Sequence, residues 1–185
     1  MDITFVSGNK NKFNELSDIF SKYNINLKNY NHVLLEIQSI SVEKVIMEKI
    51  KHAYYIFQQP IIIEDSGLYI TTPPMNGFPG ALIKNYYECL GLDGICEKNG
   101  GNSAYCETII GYHNGKNIEL FRGTIEGTIA KKPLYGDFGF GWDAIFIPKN
   151  NNLSFAQIEN KNEISMRKIA AEKLIYHLKK KFTNV

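Results

Sequence analysis

The stretch around Pro60 most constrains the fold. Upstream, Val42, Val45, Ile46, Ile50, Ala53 and Phe57 recur at helical spacing between Ser41 and about Gln58. Pro60 cannot continue that helix, and the β-branched run Ile61-Ile62-Ile63 after it reads as a buried strand ending in Glu64-Asp65-Ser66-Gly67. The chain opens with the same kinds of element. Ile3-Thr4-Phe5-Val6 reads as a strand, and Phe13, Leu16, Ile19, Phe20 and Tyr23 as the apolar stripe of a helix with Asn9 at its N-cap. Helices and strands therefore alternate, which makes the class α/β or mixed.

Further along, residues 73–80 form a loop rich in proline and glycine, followed by helical stretches at about Ala81–Leu90 and Leu92–Lys98. Ala104–His113 and Asn117–Ala130 are β-rich runs joined at Asn114-Gly115 as a hairpin. A glycine-rich aromatic loop from Gly136 to Gly141 leads into an expected strand, Asp143–Ile147, and a last amphipathic helix carries Ala170, Leu174, Leu178 and Phe182. No linker, repeat or compositional break divides residues 1–185, so one domain is expected.

Composition excludes several classes. At 44% hydrophobic and 22% charged residues the chain is an ordinary globular protein, and a net charge of +2 leaves no basic footprint for general nucleic-acid binding. No apolar run is long enough for a membrane span. Cys89, Cys96 and Cys106 are odd in number and lack metal-type pairing, so they read as reduced thiols of a cytoplasmic protein.

Four places carry chemistry. Ser7-Gly8-Asn9-Lys10-Asn11-Lys12 takes a strand into a helix N-terminus, where backbone N–H groups, the positive helix end and a lysine suit an anion; the spacing is not that of a Walker A loop. Glu64-Asp65, with Glu36 upstream, supplies carboxylates for a hard cation such as Mg²⁺, although neighbours on a strand point to opposite faces. Gly139-Phe140-Gly141-Trp142-Asp143 holds the single Trp and suits a flat ring, with Asp143 available to accept a ring N–H. In Lys161-Asn162-Glu163-Ile164-Ser165-Met166-Arg167, Ser165 can cap the final helix, which places Arg167 in a first turn where a cation is disfavoured unless an acceptor lies nearby.

Ser7-Gly8-Asn9 with Lys12, Glu64-Asp65-Ser66-Gly67, the loop Asn76-Gly77-Phe78-Pro79-Gly80, Phe140-Gly141-Trp142-Asp143, and Lys161-Asn162 with Ser165 and Arg167 together resemble, in order and spacing, the inosine triphosphate pyrophosphatase family, from about residue 3 to residue 178. The resemblance implies an elongated α/β fold, a central mixed sheet with two helix-flanked lobes and a deep cleft between them, usually in a homodimer. It implies Mg²⁺-dependent hydrolysis of ITP, dITP or XTP to the monophosphate and pyrophosphate. Carried over by position, Ser7, Gly8, Asn9, Lys10, Asn11, Lys12 and Lys44 would hold the triphosphate, and Glu36 and Asp65 would hold metal or activate water. Asp65, Lys12 and Glu64 would be the catalytic residues, Ser66 would contact substrate, and Lys84 matches a further lysine of the cleft. Phe140, Gly141, Trp142, Asp143, Lys161, Met166 and Arg167 match the base pocket.

This chemistry needs no covalent nucleophile, because water attack on the α-phosphorus chiefly requires neutralised charge and an oriented water. Hypoxanthine presents an acceptor at O6 and a donor at N1, which adenine reverses, so a buried donor such as Arg167 and an acceptor near Asp143 would separate them. Family members usually carry Ser-His-Arg where this chain has Ser165-Met166-Arg167, which predicts altered base discrimination, with GTP as the leak. Two alternatives stand beside this reading: a Maf-like pyrophosphatase of different base preference, which the Phe140–Asp143 loop disfavours, and a nucleotide-binding module without turnover, which the retained acids disfavour.

Overall fold

The computed structural model describes residues 1–183, with side chains through residue 180. Its elements run β1 (Asp2–Val6), α1 (Lys10–Ser21), β2 (Asn26–Tyr30), α2 (Val42–Phe57), β3 (Ile61–Ile70), β4 (Pro79–Gly80), α3 (Ile83–Asn99), β5 (Ser103–His113), β6 (Ile118–Ile129), a 3₁₀ turn at Asp143–Ile145, β7 (Phe146–Pro148), α4 (Lys161–Ile164) and α5 (Met166–Thr183). The strands form one mixed sheet in the order β2-β1-β3-β5-β6-β7, with β4 on β3. β2, β1 and β3 are parallel, whereas β3, β5, β6 and β7 pair antiparallel. Among the described residues no helix is long and apolar enough to cross a membrane.

Local chemistry sets the helix boundaries. Asn9 is extended, and its Oδ1 accepts from the N–H groups of Asn11 and Lys12, capping α1; Ser41 Oγ accepts from Lys44 N and caps α2. α2 closes at Gln58 in the left-handed conformation, two residues before Pro60. α3 is interrupted at Gly91, whose φ of 68° divides it close to where the sequence separates two helical stretches.

The centre of the sheet, around β3 and β5, is buried on both faces. Phe5, Ile62 and Ile110 pack with Leu16, Ile19 and Phe20 of α1 and with Ala170, Leu174 and Leu178 of α5. Ile61, Ile63 and Ile109 point the other way, onto Val42, Ile46 and Ile50 of α2. Beyond residue 67 a third cluster joins Leu68 and Ile70 to Ile95 and Cys96 of α3, and to Phe146, Phe155 and Met166. Gly123 on β6 lets α5 seat closely, since a Cβ there would lie 1.9 Å from the Met166 carbonyl oxygen. Phe182, expected on the apolar stripe of α5, lies outside the described side chains.

Three sequence expectations need correction. β3 does not end at Glu64-Asp65-Ser66-Gly67: it pairs continuously with β5 from Ile61–His113 to Ile70–Ala104, because a long partner strand and the apolar Leu68-Tyr69-Ile70 carry it past a turn-like tetrapeptide. Asp143–Ile147 is not one strand. Its first three residues make a 3₁₀ turn, held where Asp143 Oδ2 accepts from Phe140 N, and pairing with β6 begins only at Phe146. The short edge strand β2, which pairs with β1 along its length, escaped the sequence reading because its Asn26-Leu27-Lys28-Asn29-Tyr30 is mostly polar.

Candidate active site

The site begins where the sheet has a gap. β1 accompanies β3 only at Thr4–Ile61 and Phe5–Ile62, then turns away at Ser7-Gly8; β4 joins β3 only from Leu68. Between them, on the side away from β5, Glu64, Asp65 and Ser66 face neither strand, and a cavity of about 520 Å³ opens there. Crevices where neighbouring strand connections diverge are the usual ligand sites of α/β sheets.

Strand alternation splits the acids between the two layers. Glu64 points to the α1 and α5 side, where its Oε1 accepts from Arg167 Nη2 at 3.2 Å and from Ser66 Oγ at 2.5 Å. Asp65 points to the α2 side, with its Oδ2 3.7 Å from Lys49 Nζ. Lys12, in the first turn of α1, reaches both across the open edge, with its Nζ 3.0 Å from Asp65 Oδ1 and 3.1 Å from Glu64 Oε2. Burial alone would raise the Glu64 carboxyl, but the charges of Arg167 and Lys12 outweigh it and hold the group down at about 2. Burial would likewise lower the Lys12 ammonium, and the charges of Asp65 and Glu64 raise it instead, so Lys12 stays protonated.

At the other end, Asp143 Oδ2 accepts from Lys161 Nζ at 2.6 Å and from Phe140 N at 2.8 Å, so one carboxylate orders both the loop and a buried lysine. Glu15 of α1 ties this end together. Its Oε1 lies 2.5 Å from Lys161 Nζ, and its Oε2 accepts from Arg167 Nη1. Lys161 Nζ stands 4.6 Å and the Arg167 guanidinium 5.6 Å from the centroid of the Phe140 ring. Arg167 is 2% exposed, yet among the described residues its Nε has no hydrogen-bond partner. Trp142 borders the cavity while packing edge-on against Phe146, so it serves both site and core. Met166 lines the wall, with its Sδ 3.6 Å from Cys106 Sγ.

The cavity lining brings together Ser7, Gly8, Asn9, Asn11, Lys12, Glu36, Glu64, Asp65, Ser66, Lys84, Phe140, Gly141, Trp142, Asp143, Met166 and Arg167. Lys161 sits behind the lining and acts on it through Asp143 and Glu15. Two expected residues do not join: Lys10 and Lys44 are exposed and absent from the lining. Lys44 falls on the helix face opposite Val42, Val45 and Ile46, whereas Lys49, seven, four and three residues after them, falls on their face and enters the cavity. Its Nζ lies 2.5 Å from Glu36 Oε2. The helical period of α2 thus contained the signal for Lys49. Glu15 carried a weaker one, an acid bordering the stripe of Leu16 and Ile19.

The donor set fits a hard divalent cation that the substrate helps to ligate. Among the described residues, Asp65 Oδ2 is buried without a hydrogen-bond partner, Glu36 lines the same cavity and shares the Lys49 ammonium with Asp65, and no three His, Cys, Asp or Glu side chains converge as a metal cage.

Fold and cavity together define an α/β protein with a helix N-terminus and acids at one end of a pocket and a charge-lined aromatic wall at the other. Comparison with known proteins narrows this class: the chain belongs to the Ham1 family, whose model matches residues 3–177. It is 36% identical to a dITP/XTP pyrophosphatase of Saccharolobus solfataricus, over 89% of this chain and 87% of that protein. It is also 36% identical to an inosine triphosphate pyrophosphatase of Yarrowia lipolytica, over 98% and 97%. The solved structure of a HAM1 protein from Coxiella burnetii superposes with a TM-score of 0.80 at 26% identity, covering 97% of this chain and 99% of that one.

Proposed function

We propose that the chain hydrolyses deaminated purine nucleoside triphosphates (ITP, dITP and XTP) to the monophosphate and pyrophosphate, which clears them from the nucleotide pool. The relatives' names support the reaction and substrate class. The observation within the molecule that carries the reading is the unpartnered, buried Nε–H of Arg167 beside Phe140, in the same cavity as Lys12 and Asp65. A buried donor without an acceptor costs stability unless a ligand supplies one, and O6 of hypoxanthine or xanthine does so where the 6-amino group of adenine does not.

In this reading the Ser7–Lys12 turn, Lys12, Lys49 and Lys84 bind the triphosphate, Phe140 and Trp142 flank the base, and Asp143 and Lys161 hold that wall in place. Glu36 and Asp65 would hold Mg²⁺, which would supply charge neutralisation and a more acidic water. Asp65 would orient the attacking water and take its proton, while Lys12 fixes that carboxylate and Glu64 keeps Lys12 and Arg167 in position. A homodimer in the cytoplasm belongs to this reading on the resemblance alone.

Pyrophosphate-specific release with Mg²⁺ and, separately, ITP, XTP, GTP and ATP tests the proposal. Pyrophosphate from ITP and XTP with little from ATP is expected. Orthophosphate as the sole product, or binding without turnover, overturns the assigned chemistry.

A further inference from the structure

The acids assigned to the metal are the counter-ions of lysines assigned to phosphate. Lys12 Nζ contacts Asp65 Oδ1, and Lys49 Nζ lies 2.5 Å from Glu36 Oε2 and 3.7 Å from Asp65 Oδ2. The two lysines are not equivalent. Lys12 is braced by Glu64 as well and belongs to the buried lattice beneath the cavity, whereas Lys49 bridges only the two proposed ligands. Its side chain is 15% and that of Asp65 11% exposed, so solvent and salt screen their attraction incompletely. Glu36 rides on residues 31–40, where Leu34 alone is buried, and Lys49 is its ion-pair partner there. A divalent cation cannot sit between these two carboxylates while an ammonium occupies the same place.

We propose that Lys49 is an internal counter-ion that masks Glu36 and Asp65 in the nucleotide-free protein, so that the divalent cation enters together with the triphosphate, whose charge draws Lys49 off the carboxylates. The inference rests on the metal-dependent nucleotide site proposed above and deepens it. A flexible point charge suits such an exchange, because an ammonium moves between carboxylate and phosphate with little reorientation. The lack of a three-carboxylate cage fits the same logic, since substrate oxygens must complete the shell. A lysine that serves phosphate only would leave the metal affinity of the free protein unchanged when removed. A masking lysine sets that affinity.

The test is titration of Mn²⁺ into nucleotide-free protein, followed by electron paramagnetic resonance of the free ion, for native protein, Lys49→Gln, Lys49→Arg and Lys51→Gln. Lys49→Gln is expected to tighten Mn²⁺ binding by roughly tenfold, as removal of a nearby unit charge requires, with Lys49→Arg staying close to native. Lys51, an exposed lysine of the same helix paired with Glu48, controls for net charge and should change nothing. Lys49→Met, which keeps an unbranched stem, repeats the measurement independently. Unchanged Mn²⁺ affinity in both neutral variants, or equal tightening in Lys51→Gln, overturns the proposal. ITP binding in EDTA, read by Trp142 fluorescence, should weaken in Lys49→Gln. Tighter Mn²⁺ with no ITP binding to native protein would keep the counter-ion role and sink the nucleotide reading, whereas ITP binding with unchanged Mn²⁺ would do the reverse.

Discussion

The carboxylate of Glu15 on α1 accepts a hydrogen bond from the guanidinium of Arg167 on α5, joining residues 152 positions apart. The same carboxylate holds Lys161, so the helix whose first turn places Lys12 against Asp65 also fixes the two cations beside Phe140. The proposed phosphate and base ends are therefore parts of one charge lattice. Glu15→Gln keeps the shape and removes the charge, leaving buried cations undercompensated. It should destabilise the protein by about 1–3 kcal/mol in denaturant unfolding and raise KM for ITP more than it lowers kcat. Equal stability and an unchanged KM would show that the lattice does not depend on this carboxylate.

In the proposed reaction Asp65 is the acid that meets both water and metal. Asp65→Asn should lower kcat for ITP on the order of 10²–10⁴-fold, the usual contribution of a positioned general base. Affinity for a non-hydrolysable ITP analogue should fall far less. Single-turnover pyrophosphate release alongside analogue titration separates the two, and a variant that keeps its turnover would remove Asp65 from the chemistry.

Glu64 carries a pH dependence of definite sign. Its carboxyl is held down at about 2 in the folded protein, below its ordinary value of 4.5, so it binds fewer protons folded than unfolded. The stabilisation is present above the unfolded value and is lost as pH falls from there toward the folded one, on the order of 3 kcal/mol in all. Urea unfolding between pH 6 and pH 3 should show stability falling with acid, more steeply in the native protein than in Glu64→Gln. Equal slopes would mean that the buried pairs with Arg167 and Lys12 do not persist in solution.

Met166 forms cavity wall through a thioether backed by the Cys106 thiol, a contact with no donor or acceptor to spare for a base edge. Met166→His restores a polar group there and should raise the ratio of kcat/KM for ITP over GTP by roughly tenfold, within what one pocket contact contributes. An unchanged ratio would mean that this wall does not read the base.

Much of the fold was legible because it rests on local rules. Helical periodicity placed α1, α2 and α5, Asn9 and Ser165 marked caps, Pro60 fixed where a helix gave way to a strand, and Asn114-Gly115 marked the hairpin. β2 was not legible, since a short polar edge strand is defined by its neighbour and not by its own pattern. For the same reason Glu64-Asp65-Ser66-Gly67 read as a strand end and proved to be mid-strand, carried through by pairing with β5.

The candidate site divides along the same line. The sequence alone determined which residue types were present for phosphate, metal and base, and that they fell in a family's order. Only the tertiary structure decided which of them meet: that Glu15 braces Lys161 and Arg167, and that Lys12 spans Glu64 and Asp65. Caps and periodicities are properties of neighbours along the chain. A charge partner is chosen by distance in space and by the low dielectric in which the pair is enclosed, and both exist only once the sheet and helices have packed.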